Sequence, residues 1–128
     1  MGIQASDYAT KQTHIVFDLH ARCPEWQKFL LKVMDGSEEL IRYLQKAVGY
    51  SLTGENSEQC FFITHGTGAN GKSVFLNLIR ELAGDYGINI PMDTLMAQRF
   101  KSGNSNDLAR MIGTRLGTAI CFQVASAY

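Results

Sequence analysis

The sequence predicts an α/β fold in which a helical hairpin precedes an incomplete three-layer core with a short parallel sheet. Three observations predict this fold. Two adjoining segments within residues 24–48 carry apolar residues at helical spacing. A short apolar run, Cys60–Thr64, leads through a glycine-rich loop into a third helical pattern. Two later segments, around Ile88 and from 115 to 122, have the apolar pattern of strands.

The composition is that of one folded domain. The chain has 128 residues, 45% of them hydrophobic, which suits a packed core rather than disorder. Its 12 Lys and Arg balance 12 Asp and Glu, so the net charge indicates neither a nucleic-acid nor a membrane partner. Three widely spaced cysteines, Cys23, Cys60 and Cys121, are expected to be reduced thiols. Without a signal peptide or a membrane-spanning stretch, we expect a soluble cytoplasmic protein.

The first half of the chain predicts two helices. Residues 1–22 have weak pattern and are interpreted as a linker or the tail of an upstream segment, with a strand-like run at Ile15–Phe17. Pro24 suits the first turn of a helix. Its apolar face repeats at i, i+3, i+4 and i+7 through Trp26, Phe29, Leu30 and Val33. Ser37 can cap a second helix, which Gly49 is expected to end. Residues 50–59 are then a polar loop, so the helical segment covers 23–58.

A phosphate-binding motif follows this loop. Residues 66–73 read G-x-x-x-x-G-K-S, after an expected strand and before an expected helix. The glycines allow a tight turn that brings successive N–H groups onto one anion. Lys72 can reach the terminal phosphates of a nucleotide, and the Ser73 hydroxyl can coordinate Mg²⁺. A glycine-rich turn without a ligand is the alternative, but a plain turn needs neither side chain. The predicted cofactors are ATP and Mg²⁺, held by Gly66, Thr67, Gly68, Ala69, Asn70, Gly71, Lys72, Ser73 and Val74.

The remainder of the chain predicts shorter elements. The helix after the loop should stop at Gly84, and a short strand should run through Ile88. Residues 93–99 suit one or two helical turns. A further short helix, capped by Asn106 or Asp107, should end at Gly113. With the strand from 115, this second part, residues 59–128, forms the partial core.

Five blocks of residues between about Cys23 and Leu116 extend the pattern beyond the phosphate-binding motif. They are Cys23-Pro24-Glu25-Trp26 with Phe29-Leu30, Leu44-Gln45 with Gly49 to Gly54, Gly68 to Ser73, Gly84-Asp85-Tyr86, and Asn106 to Arg110 with Gly113 to Leu116. In order and spacing, these blocks resemble the C-terminal region of phage and plasmid primases, which carries a superfamily 3 helicase domain.

This resemblance implies an ATP-driven DNA helicase of phage or plasmid replication, with an AAA+ fold. It implies a homo-oligomeric ring, usually a hexamer, with DNA as partner and the host cytoplasm as location. By position, Lys72 would be the catalytic residue that stabilises charge on the transferring phosphoryl group, and Ser73 would hold the metal. DNA contacts would lie beyond Tyr128.

The chain departs from the family where the Walker B acid is due. No Asp or Glu follows Asp107, and only Gln123 falls near the expected place. We therefore expect nucleotide binding with little hydrolysis by this chain alone. Two other hypotheses stay open: a non-catalytic P-loop remnant or assembly module, and a small P-loop phosphotransferase, which would need an acid that is also missing.

Several further residues have both a functional and a structural interpretation. His65 and the basic group Arg99-Phe100-Lys101 are more simply explained by local packing and a solvated loop. Candidate nucleotide or subunit contacts are Arg110 and Arg115, and candidate surrogate acids are Asp85 and Asp93. The surrogate role requires that folding bring either acid close to Ser73.

Overall fold

A computed structural model describes residues 10–95 and 109–119. In chain order, these residues form α1 (Pro24–Val33), α2 (Glu38–Thr53), α3 (Lys72–Ala83), a 3₁₀ turn (Gly84–Tyr86), β1 (Gly87–Asn89), α4 (Met92–Leu95) and β2 (Leu116–Thr118). This is the predicted α/β class. The division of the chain into residues 1–22, 23–58 and 59–128 remains a prediction.

The helical hairpin forms as the sequence predicts. α1 begins at Pro24 and ends at a turn in which Asp35 and Gly36 have φ of 50° and 74°. The Ser37 hydroxyl oxygen then accepts a hydrogen bond from the Leu40 N–H and caps α2. A tight connection of this kind makes the two helices antiparallel neighbours, and Leu30 and Ala47 are their buried residues.

The second helix is longer than predicted. Gly49 does not end α2, which continues through Thr53 to Gly54, whose φ of 78° is left-handed. Two side chains of the extra turn bond to the helix itself: Ser51 donates to the Ala47 carbonyl and Thr53 to the Tyr50 carbonyl. Residues that were expected to favour a loop are therefore satisfied within the helix, and the polar loop begins four residues later.

The sheet of the described residues contains two parallel strands. β1 pairs with β2 in the register Gly87 with Leu116, and the backbone of Ile90 extends the pairing by donating to the Thr118 carbonyl at 2.8 Å. α3 packs on both strands, and its buried residues Ile79 and Ala83 form a small core with Ile90. The predicted strands near Ile88 and after Arg115 are thus confirmed over Gly87–Asn89 and Leu116–Thr118, while 120–122 lie outside the described residues.

The expected strand before the glycine-rich loop is wrong. Cys60–Thr64 belongs to no helix or strand, and Phe61 and Ile63 are 82% and 77% exposed. A strand exists only with a hydrogen-bonded neighbour, and no described residue pairs its backbone with this segment. The strand-like run Ile15–Phe17 is likewise irregular and exposed.

Two of the shorter predicted helices fall partly within the described residues. Met92–Leu95 is helical, and Ala109 and Arg110 are helical before a turn at Gly113, whose φ is 72°. The rest of the predicted turns at 96–99, and the caps Asn106 and Asp107, lie outside the described residues.

Candidate phosphate-binding loop

The glycine-rich segment forms a tight, solvent-exposed bend that runs directly into α3. Gly68, Ala69 and Gly71 have φ of 91°, 46° and 83°. Left-handed conformations at three of four consecutive positions turn the chain back on itself, and they are inexpensive only where the residue is glycine. Positions 68 and 71 therefore require glycine, and the sequence has glycine at both.

The N-terminus of α3 differs from those of the other two long helices. α1 and α2 have Glu25, Glu38 and Glu39 in their first turns, which offset the positive end of the helix. α3 begins after Gly71, has no side-chain cap and has no acid in its first turn. Its first N–H groups and positive end are consequently available to an anion, as a phosphate-binding helix requires.

The ammonium group of Lys72 folds back over the loop. Its Nζ donates to the Asn70 Oδ1 at 2.6 Å and to the Gly66 carbonyl at 3.1 Å. The Asn70 amide lies against Gly66, so that a Cβ at position 66 would collide with the Asn70 Nδ2. Both acceptors of the ammonium are neutral. A phosphate oxygen carries negative charge, so the ammonium is attracted to it more strongly than to either neutral acceptor.

The other predicted ligands face solvent. Thr67, Gly68, Ala69, Ser73 and Val74 are exposed. The Ser73 hydroxyl has no hydrogen-bond partner among the described residues, so its oxygen is available to a cation. The donor set therefore fits a nucleotide phosphate with Mg²⁺: free amides, one ammonium and one hydroxyl at the start of one helix. No assembly of three or more His, Cys, Asp and Glu side chains forms a metal site of its own within residues 10–95 and 109–119.

α1 packs against the end of the loop. The space that a Cβ of Gly71 would need is occupied by the Val33 Cγ1, at 2.8 Å, and by the edge of the Phe29 ring, at 3.0 Å. Trp26 stacks on Phe29 at 5.1 Å between centroids and on Phe75, in the first turn of α3, at 5.7 Å. The sequence identified Phe29 and Val33 as the apolar face of a helix, but helical spacing carries no signal for the surface that this face contacts.

The candidate surrogate acid Asp85 does not lie near Ser73. It follows the C-terminal end of α3, which is roughly 18 Å long at 1.5 Å per residue, whereas Ser73 lies at the opposite end. Its carboxylate accepts a hydrogen bond from the Gln12 N–H and lies 4.0 Å from His14. The role of Asp85 is therefore to hold the N-terminal segment.

Arg115 also has a structural role. Its guanidinium lies 4.6 Å from the centre of the Tyr86 ring and donates to the Leu52 carbonyl at 3.2 Å. These contacts tie the end of α2 to the turn before β1, away from the loop. Arg110 and His65 are exposed. The side chain of Asp93, the basic group Arg99–Lys101 and Gln123 lie outside the described residues.

The predicted cysteine chemistry agrees with the structure where it is described: Cys23 and Cys60 are free and exposed, and Cys121 lies outside this part. Among the helices of the described residues, none has the length and apolar content needed to span a membrane.

Comparison with known proteins finds a similarity to one protein named as a helicase. No protein family and no solved structure match the chain. The chain is 32% identical over 76 residues to a protein of Acanthamoeba polyphaga mimivirus that is named "Putative helicase". The match covers 59% of this chain and 8% of the viral protein. It supports a helicase-like relationship, and the primase part of the resemblance stays a prediction.

Proposed function

We propose that this chain is the nucleotide-binding segment of a DNA helicase and that residues 66–74 bind ATP with Mg²⁺. The observation that carries the proposal is the position of Lys72. Its ammonium lies over a left-handed glycine bend at the uncapped N-terminus of α3. The similarity to part of a viral protein named as a helicase supports the class of the whole protein.

In this proposal, each group of the loop has one task. The first N–H groups of α3 and the loop amides bind phosphate oxygens. Lys72 exchanges Gly66 and Asn70 for the terminal phosphate and stabilises charge there. The Ser73 hydroxyl is one oxygen ligand of Mg²⁺, which when bound neutralises part of the phosphate charge.

The proposal includes the partners that the resemblance implies. These are DNA, a ring of identical subunits and action in the cytoplasm of a host cell. It also includes slow hydrolysis, because no Asp or Glu occurs after Asp107 and Asp85 lies beyond the far end of α3. A carboxylate that holds Mg²⁺ or positions water is then one other than Asp85.

The direct test is calorimetric titration of the full chain with MgATP and MgADP. We expect Lys72→Ala to weaken MgATP binding about 10- to 100-fold, since hydrogen bonds to charged groups contribute about 1.5–3 kcal/mol. The matched control is Lys46→Ala, which removes the same charge from an exposed position on α2. Equal affinity in wild type and Lys72→Ala would contradict the proposal. Brisk ATP turnover with single-stranded DNA would contradict its hydrolysis part.

A second candidate is a non-catalytic remnant or assembly module. It is favoured by the way Asn70 and Lys72 satisfy each other within the loop, and by the unpaired, exposed apolar segment Cys60–Thr64. In that case neither nucleotide would bind, and the chain would instead associate with itself or a partner.

A further inference from the structure

We propose that Phe29 and Val33 of α1 are positioning residues of the phosphate-binding loop, and that phosphate binding is transmitted through them and Phe75 to Trp26. This inference rests on the proposed function and goes beyond it, because it assigns a role to the helical hairpin.

The contact with Gly71 is the first step. Gly71 has a φ of 83° and is the residue at which the loop becomes helix. Glycine adopts this conformation without strain but has many other conformations open to it, so its neighbours determine which one it keeps. Here the Val33 Cγ1 and the Phe29 ring edge fill the side of Gly71 where a side chain would project. Removal of either group gives this residue freedom to change conformation.

The second step is a set of contacts that leads from Gly71 through Phe75 and Trp26 back to Phe29. The Phe75 N–H donates to the Gly71 carbonyl at 2.9 Å, so the backbone of Phe75 is tied to the end of the loop. Trp26 stacks on Phe75 with an interplanar angle of 15° and on Phe29 with one of 19°. Any rearrangement of the loop around a phosphate moves Gly71 or the first turn of α3, and either movement changes the stack on Trp26.

Trp26 is the single tryptophan of the chain, so the tryptophan fluorescence of the protein reports on these contacts. The indole emission depends on its ring neighbours and on solvent. We expect MgATP to change the fluorescence of wild-type protein with a midpoint equal to the calorimetric Kd. Val33→Ala and Phe29→Leu should weaken MgATP binding about 5- to 20-fold while the helical circular dichroism is retained.

The matched control is Leu31→Ala. Leu31 is also on α1 and 45% exposed, but it lines the groove between α1 and α2 rather than the loop. A merely structural effect of α1 variants would lower affinity and urea midpoint together in all of them. A positioning role lowers affinity in Val33→Ala and leaves it unchanged in Leu31→Ala, whatever the two urea midpoints are.

The outcomes separate this inference from the proposed function. MgATP binding with unchanged Trp26 emission, or equal loss of affinity in Leu31→Ala and Val33→Ala, overturns the positioning role and leaves the nucleotide site standing. Absence of MgATP binding to the wild type overturns both. An emission change that saturates at the calorimetric Kd, with selective loss in Val33→Ala, supports the inference.

Discussion

The Asn70 side chain is the nearest hydrogen-bond acceptor of the Lys72 ammonium, at 2.6 Å. Two residues of one loop therefore satisfy each other, and a phosphate oxygen that takes the place of the Asn70 oxygen must separate them. The strength of this internal pair sets part of the affinity for nucleotide, since a ligand gains only the difference between its own contacts and those it replaces.

Substitution of Asn70 should reveal this competition. Asn70→Ala removes one internal acceptor, and a net hydrogen bond of about 0.5–1.5 kcal/mol corresponds to MgATP binding that is about 2- to 10-fold tighter. Asn70→Asp should instead weaken binding at least about 10-fold, because a carboxylate pairs with Lys72 and repels phosphate. Calorimetry measures both variants. Weaker binding by Asn70→Ala would mean that the amide contacts the nucleotide directly.

Gly71 and Gly49 provide a contrasting pair of glycine substitutions. Gly71→Ala places a Cβ 2.8 Å from Val33 at a left-handed φ, so we expect a loss of about 2–4 kcal/mol in the free energy of unfolding and loss of MgATP binding. Gly49→Ala lies within α2, and a Cβ there meets nothing within 4 Å. It should stabilise the protein by about 0.5–1 kcal/mol. Urea unfolding tests both, and stabilisation by Gly71→Ala would refute the described packing.

Local signals in the sequence predicted the elements whose causes are local. The Ser37 cap, the start of α3 at the glycine-rich loop and its end at Gly84 depend on neighbouring residues only, and all three are confirmed. The length of α2 was not predicted, because Ser51 and Thr53 bond within the helix instead of favouring a loop.

The apolar pattern of the sequence could not predict features that depend on residues far apart in the chain. An apolar run such as Cys60–Thr64 fits a strand, but whether it becomes one depends on a neighbour that supplies hydrogen bonds. The contact of Val33 with Gly71 and the pairing of Arg115 with Leu52 join residues far apart in the chain. The candidate loop and α1 were therefore both predicted from sequence, whereas the contact between them was not.

Arg115 should stabilise the fold rather than the loop. Arg115→Ala loses the ring of Tyr86 and the Leu52 carbonyl, and because the side chain is exposed we expect a cost of only about 1–2 kcal/mol in the free energy of unfolding. MgATP affinity should be unchanged. Arg110→Ala, at another exposed arginine, serves as the control for charge and should leave the urea midpoint in place. A large loss of affinity in Arg115→Ala at unchanged stability would assign this residue to the nucleotide.

Substitution of Asp85 tests whether this carboxylate acts at the phosphate-binding loop. Its carboxylate accepts the Gln12 N–H, its own N–H donates to the Gln12 carbonyl at 3.1 Å, and Thr13 donates to the Leu82 carbonyl at 2.9 Å. Asp85→Ala removes the first of these bonds and keeps the other two. We expect faster amide hydrogen exchange at Gln12 and about 1 kcal/mol lower stability, because one bond to a partly exposed charged group is lost. MgATP affinity and the background rate of hydrolysis should not change, since Ser73 lies in the first turn of α3 and Asp85 lies beyond its C-terminal end. A selective fall in hydrolysis at constant MgATP affinity would instead make Asp85 the missing acid, supplied across a contact between two copies of the chain.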